Sequence, residues 1–292
     1  MPGDLHTHTN FSDGSSDIEL LPLLARRAGL TSLAVSDHDT ELCIQYAQQH
    51  PVDQGVRLIP AVEMMGFDTR RGRRVHMLCY CPELTPGLLA FFQLMKDRRN
   101  AVTSLSIDEL EKMYPQFTRA AAKAFSRRSG VTYKTHLIRL LYEYGYTDGI
   151  YKDLYRELFG RGGKVLHDPA YEPLEKVLDL IHEAGGVAVL AHPSVYQSME
   201  LAEELASEGR IDGVEIDHPR NTPEDRQALH VLAERWNLIV TGGTDFHGMH
   251  MSKPTPLGAF TTSDEMIERI WKLAEQKKQA KVVPHYGKSD EF

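Results

Sequence analysis

Short apolar runs that end in a histidine or an acid recur along this chain, with stretches of helical period between them. After a short apolar entry at Leu5, such runs lie at 33–36, 56–62, 75–80, 187–191, 213–216 and 238–240. Helical stretches begin at Ser16-Asp17-Ile18-Glu19, at Leu174, near Ser198, at Thr222 and at Ser263. Polar caps precede several of them, and Gly29 and Gly185-Gly186 close two. Strand–helix alternation of this kind argues a mostly parallel sheet. About seven strands would close into a barrel, and an open doubly wound sheet is the alternative. The run at 75–80 follows an Arg- and Gly-rich turn and reads as half of a hairpin.

The polar residues are placed informatively. His6, His8, His38, Glu63, His76, His192, Asp217, Asp245 and His247 fall at or beside the ends of these runs. In a barrel those ends gather on one rim, where active sites sit. His6 and His8 flank one residue, so on a strand they share a face. Asp13 follows after a turn containing Asn10, Ser12 and Gly14, which lets a carboxylate fold back toward them. A single His-x-His is equally what two solvated surface histidines would give, and the recurrence downstream is what points to a metal site. Mixed imidazole and carboxylate donors suit Mn, Fe or Zn better than Mg or Ca. Cys43, Cys79 and Cys81 have neither disulfide-framework nor zinc spacing and read as reduced core residues.

From about Leu84 to about Tyr155 the apolar period is helical, too long for one crossover. Between Lys96 and Lys164 there are 14 Lys/Arg against 8 Asp/Glu, a net of +6, whereas the remainder carries 19 against 33, a net of −14. An acidic body suits cations, and a basic insert suits an anionic substrate. A sequence pI of about 6.0 disfavours tracking long nucleic acid. No apolar run approaches the roughly 18 residues of a membrane span. The N-terminus does not resemble a signal peptide, so a cytoplasmic protein without membrane partners is expected. The oligomeric state is not legible.

His6-Thr7-His8, Asp37-His38-Asp39, Glu63, His76, Ala191-His192-Pro193 and Asp245-Phe246-His247 together resemble, in order, the motifs of the PHP (polymerase and histidinol phosphatase) superfamily. The resemblance implies a distorted (β/α)7 barrel, formed here by 1–95 and 165–292, with 96–164 as a helical insert covering the active site. It implies two or three divalent metal ions and hydrolysis of phosphate esters. His6, His8, Glu63 and Asp245 would hold the first metal. Glu63, His76 and His192 would hold the second, with Glu63 bridging, and Asp13, His38 and His247 the third. A metal-bound water then serves as nucleophile at neutral pH. His218 and Asp39 are candidate helpers, either protonating the leaving oxygen or, with Asp37, orienting ligands.

The insert resembles that of the branch containing nucleoside 3′,5′-bisphosphate phosphatases and 5′–3′ exonucleases. Tyr133-Lys134-Thr135-His136 stands where that branch has a Ser-Arg-Thr-His-like sequence, so lysine replaces the bidentate guanidinium. Lys134 and His136 are the expected phosphate contacts, with Arg127, Arg128, Lys164 and Arg220 as further candidates. His50, His167, His182, His230, His250 and His285 read as structural. The expected activity is hydrolysis of a phosphate monoester of a small metabolite, foremost a nucleotide or nucleoside 3′,5′-bisphosphate. The alternatives are a 5′–3′ exonuclease on short oligonucleotides, a histidinol-phosphate phosphatase, a non-catalytic accessory module and a C–N-cleaving amidohydrolase.

Overall fold

The computed structural model describes residues 2–282. His285 lies outside them. The strands are β1 (Gly3–Thr7), β2 (Ser32–Val35), β3 (Val52–Asp53), β4 (Val56–Leu58), β5 (Ala61–Asp68), β6 (Arg73–Tyr80), β7 (Glu172–Pro173), β8 (Val187–Leu190), β9 (Gly213–Asp217) and β10 (Ile239–Gly242). The helices are α1 (Leu21–Arg27), α2 (Leu42–Gln49), α3 (Pro86–Met113), α4 (Arg119–Ala124), α5 (Lys134–Glu143), α6 (Asp153–Phe159), α7 (Leu174–Glu183), α8 (Met199–Ser207), α9 (Pro223–Trp236) and α10 (Asp264–Val282). None of the described helices is long and apolar enough to cross a membrane.

The fold is mixed α/β with parallel pairing predominant, as the alternation requires. Hydrogen bonding divides the strands into a four-stranded sheet, β1-β2-β4-β3, and a six-stranded sheet, β10-β9-β8-β6-β5-β7. The ladders are not one closed ring. Isolated bridges link the two sheets at Thr7–Phe246 and at His38–Glu63.

The expected strand 56–62 is two strands. The chain leaves the first sheet after Leu58, passes through Ile59-Pro60 and enters the second sheet at Ala61. Glu63 therefore sits inside β5 rather than at a strand end, and His76 sits inside β6, the antiparallel partner of β5. The hairpin brings both to the site in mid-strand, paired at Glu63–Leu78 and Met65–His76.

The helical stretch is four helices, α3 to α6. Thr85 caps α3, its hydroxyl accepting from Leu88 N–H at 3.2 Å, and Pro86 fills the first turn, where its missing N–H costs nothing. The first half of α3 buries Leu88, Phe91, Phe92 and Met95 in the main core. Its second half buries Ile107 and Leu110 in a separate core with Phe117, Leu137, Leu141 and Leu158. One long helix thus carries the chain from the sheet layer into a helical layer with its own apolar centre. Cys43, Cys79 and Cys81 are buried and unpaired.

Candidate metal centre

Strand β1 is buried along its whole length, so the imidazoles of His6 and, just past its end, His8 enter the interior. The loop after His8 turns back on it. A Cβ at Gly14 would lie 2.5 Å from the His8 carbonyl oxygen, so only glycine allows this approach. The Asp37 carboxylate pins the loop, accepting from Thr9 N–H at 2.8 Å, Thr9 Oγ1 at 2.5 Å and Ser12 Oγ at 2.5 Å. His250 Nδ1 meets the Asp13 carbonyl at 2.7 Å. Asp13 is thereby aimed inward.

Glu63 is the hub. Its Oε1 lies 2.8 Å from His76 Nδ1 and 2.9 Å from His192 Nε2. Its Oε2 lies 3.0 Å from His38 Nδ1, 3.3 Å from His8 Nε2 and 3.4 Å from His6 Nε2. Asp245 Oδ1 stands 3.5 Å from His6 Nε2 and 3.3 Å from His8 Nε2. Four edges of the polyhedron formed by His6 Nε2, His8 Nε2, Glu63 Oε2 and Asp245 Oδ1 therefore measure 3.3 to 3.5 Å. A tetrahedron around an ion with bonds of 2.0–2.1 Å has edges of about 3.3–3.4 Å. The donor spacing fits a metal. Asp13 Oδ1 faces His247 Nε2 at 3.3 Å and His38 Nε2 at 3.8 Å, which forms a third group. All nine expected ligand positions lie in this one cluster, in overlapping sets of three or four.

The electrostatics agree. Burial alone would raise the carboxyls of Glu63, Asp13 and Asp245, but the surrounding imidazoles hold all three well below the usual carboxylate range. Burial alone would lower His8, but Asp245 and Glu63 push it up to about 10. His6 is likewise raised, against burial, by Glu215, Glu63 and Asp245. His76 goes the other way, down to about 4, because burial outweighs Glu63. The cluster thus stabilises positive charge beside the His6, His8, Glu63 and Asp245 atoms. Buried imidazole nitrogens of His6, His8, His38, His76 and His192 lack a hydrogen-bond partner in this arrangement, a costly condition that cations relieve.

Glu215 is a functional neighbour that sequence reasoning missed. Its Oε1 holds His6 Nδ1 at 2.9 Å and its Oε2 accepts the His192 backbone N–H at 2.9 Å. That turns the Nε2 lone pair of His6 toward Glu63 and Asp245. The available signal was a lone acid inside an apolar strand. Asp217, expected beside the centre, instead accepts from Thr261 N–H. His218 Nδ1 accepts the Arg220 backbone N–H at 3.1 Å, which leaves the proton on Nε2, facing Asp245 Oδ2 at 3.6 Å. Asp39 is fully engaged elsewhere. Its Oδ1 accepts from Met65 N–H and its Oδ2 pairs with Arg99, both at 2.9 Å.

A cavity of about 590 Å³ opens over the cluster between the two layers, with Asp13, His38 and His76 in its floor. Lys134 and Arg220 line it, as expected. The other expected phosphate contacts do not. Arg127 lines two smaller cavities, one within the insert and one between it and the 39–42 loop, Arg128 is held by Glu19, and Lys164 is an exposed partner of Glu157. His136 is buried at the start of α5, its Nδ1 accepting the Tyr133 N–H at 3.2 Å, so it caps the helix. In its place the cavity presents Arg74, Arg99 and Arg161, none of which carries a local motif. His167, read as structural, also lines it and meets Glu109 at 3.2 Å. His182 bonds the Arg210 carbonyl, and His50 and His230 lie at the surface, consistent with the structural reading.

The sequence profile of the PHP domain matches residues 4–189. Over 249 residues the chain is 34% identical to the phosphoribosyl 1,2-cyclic phosphate 1,2-diphosphodiesterase of Eggerthella lenta, covering 85% of this chain and 95% of that one. It is 30% identical over 283 residues to the 5′–3′ exoribonuclease Rnm of Escherichia coli, covering 94% of each. A crystal structure of a Bifidobacterium adolescentis protein assigned as a metal-dependent phosphoesterase superposes with a TM-score of 0.84 at 28% identity, over 93% of this chain and 96% of that one.

Proposed function

The chain belongs to the PHP domain family and is a metal-dependent phosphoesterase, and from that premise we propose that it cleaves one phosphate ester of a ribose compound bearing at least two phosphates, foremost a nucleoside 3′,5′-bisphosphate. The observation that carries the reading is the division of Glu63. One oxygen faces His76 and His192 while the other faces His6, His8 and His38, beneath a cavity edged by cations. That is the arrangement a bridging carboxylate needs.

His6, His8, Glu63 and Asp245 would hold one ion, Glu63, His76 and His192 a second, and Asp13, His38 and His247 a third. Mn, Fe or Zn fits these donors. Divalent ions bound there would neutralise phosphate oxygens and activate water for in-line attack. The protein's own groups do the rest. Glu215 keeps the His6 proton on Nδ1. His218 is buried with its Nε2–H facing Asp245, so its place is behind a ligand and away from the cavity. Asp39 locks α3 to the loop after β2 through Arg99. Lys134 and Arg220 face the substrate from the cavity wall. We read 96–164 as the insert that roofs the site, and the two bridged sheets of 1–95 and 165–292 as a distorted barrel.

A cyclic phosphodiester of phosphoribose is a second reading, favoured by the 34% identity to the cyclic-phosphate relative. The 30% identity to an exoribonuclease keeps short 5′-phosphorylated oligonucleotides in the test. Phosphate release or ring opening would be followed with added Mn²⁺ for adenosine 3′,5′-bisphosphate, AMP, histidinol phosphate, a 5′-phosphorylated dinucleotide and ribose 1,2-cyclic phosphate 5-phosphate. Turnover of a compound with two phosphates, abolished by Asp245→Ala, is expected. Turnover of histidinol phosphate alone, or of nothing while metals are bound, would overturn the reading.

A further inference from the structure

We propose that Arg74, clamped between Tyr171 and Tyr196, is the subsite that holds the second, uncleaved phosphate of the substrate. The identity of that anion rests on the phosphoesterase reading above.

Arg74 and His76 are two residues apart on β6 and share one face of the strand. Both line the cavity. The Arg74 guanidinium lies 5.9 Å from the ring centre of Tyr171 and 5.7 Å from that of Tyr196. Pairing of β7 with β5 brings Tyr171 into place, and the turn after β8 brings Tyr196. The Tyr196 ring also packs on two members of the cluster, 4.7 Å from His76 and 5.8 Å from His192. The legs of 4.7 Å and 5.7 Å cap the distance from the His76 ring centre to the Arg74 guanidinium at their sum, about 10 Å. An anion on Arg74 therefore sits beside the metal centre, at the remove of a neighbouring substituent on one sugar.

Arg74 also differs from the other cations of the cavity. Arg99 is paired with Asp39, and Lys134 with Asp168 at 2.5 Å. Asp168 is the carboxylate whose field reaches Arg74, and it is already taken. Arg161 and Arg220 are exposed. Arg74 is half-buried and has no ion pair among the described residues. A half-buried guanidinium held in its charged form but with no ion pair of its own is a ready partner for an anion from outside. The two tyrosines hold the guanidinium, with the Tyr171 hydroxyl accepting from one of its N–H groups, and the remaining N–H groups are left for bonds that a phosphate accepts.

The test compares wild type, Arg74→Gln, Arg74→Lys and Tyr196→Leu. The ratio of kcat/KM for adenosine 3′,5′-bisphosphate over the AMP isomer, 3′ or 5′, that carries only the cleaved phosphate is expected to fall about 10- to 100-fold in Arg74→Gln, to recover partly in Arg74→Lys and to fall less in Tyr196→Leu, which keeps the charge but loosens the clamp. Calorimetric binding of the bisphosphate to EDTA-treated protein gives a second readout that needs no turnover, and there Arg74→Gln should weaken binding by a similar factor. If wild type turns over nothing, the function proposed above fails, and the calorimetry alone decides for or against the subsite. Equal losses for that AMP isomer and the bisphosphate would mean that Arg74 touches the cleaved phosphate and would overturn the proposal. So would unchanged binding in Arg74→Gln with an unchanged melting temperature. If Arg74→Gln does not fold, an unchanged ratio in Tyr196→Leu overturns it.

Discussion

Replacing Glu215 by Gln keeps shape and volume, yet it should strip metal from the centre. The carboxylate accepts two bonds, one from His6 Nδ1–H and one from the His192 backbone N–H, each at 2.9 Å. An amide has one oxygen and one NH2, so it can accept from only one of them. The backbone N–H cannot move its proton, and it claims the oxygen. The NH2 group then faces His6 Nδ1, which must become the acceptor, and the ring proton shifts to Nε2. That is the atom directed at Glu63 Oε2 and Asp245 Oδ1 at 3.4 and 3.5 Å. A protonated Nε2 has no lone pair for a metal. Loss of such a supporting group typically costs 10- to 100-fold in metal affinity, or about 1.4–2.7 kcal/mol. Manganese titration by calorimetry, with metal content by mass spectrometry, measures it. Thermal melting of the metal-free proteins separates this effect from misfolding. Wild-type affinity and a full metal complement in Glu215→Gln would refute the tautomer argument.

Three further outcomes are expected. His136 is buried and its pKa is pushed down to about 4, chiefly by burial. The unfolded chain takes up that proton first, so stability falls as pH drops from about 6.5 to about 4, by up to roughly 3 kcal/mol. Urea melts of His136→Gln should show a flatter pH dependence, and parallel curves would exclude it. Gly14→Ala places a methyl 2.5 Å from the His8 carbonyl oxygen and must displace the loop that carries Asp13. A stability loss of about 1–3 kcal/mol with fewer bound metals per chain is expected, and an unchanged melting temperature and metal count would contradict it. Arg99→Met leaves Asp39 buried without its charge partner, at a cost of about 3–5 kcal/mol in denaturant melts. A loss under about 1 kcal/mol would show the pair to be dispensable.

Much of the centre is written in local order. Apolar runs and glycine-closed helices announce the alternating fold, and a histidine or acid beside a buried run is visible without knowing what it faces. His6-Thr7-His8, Asp37-His38-Asp39 and Asp245-Phe246-His247 are short enough for neighbouring residues to dictate their geometry. Glu63 and His76 were legible as residues but not in place, because Pro60 splits a run that looks continuous and moves its second half to another sheet. Glu215 shows only as an acid inside an apolar strand, and Arg74 and Arg99 carry no local sign at all. Their roles come from His6, from Tyr171 and Tyr196, and from Asp39, all 60 or more residues away. The same holds for Arg128, Lys164 and His136, whose charge or type suggested phosphate until Glu19, Glu157 and the Tyr133 backbone took them up. Local sequence determines which side chains can ligate and which face of a strand they leave by. Strand register and the docking of the helical layer decide which of them converge, because those contacts are long-range and depend on packing that no short pattern encodes.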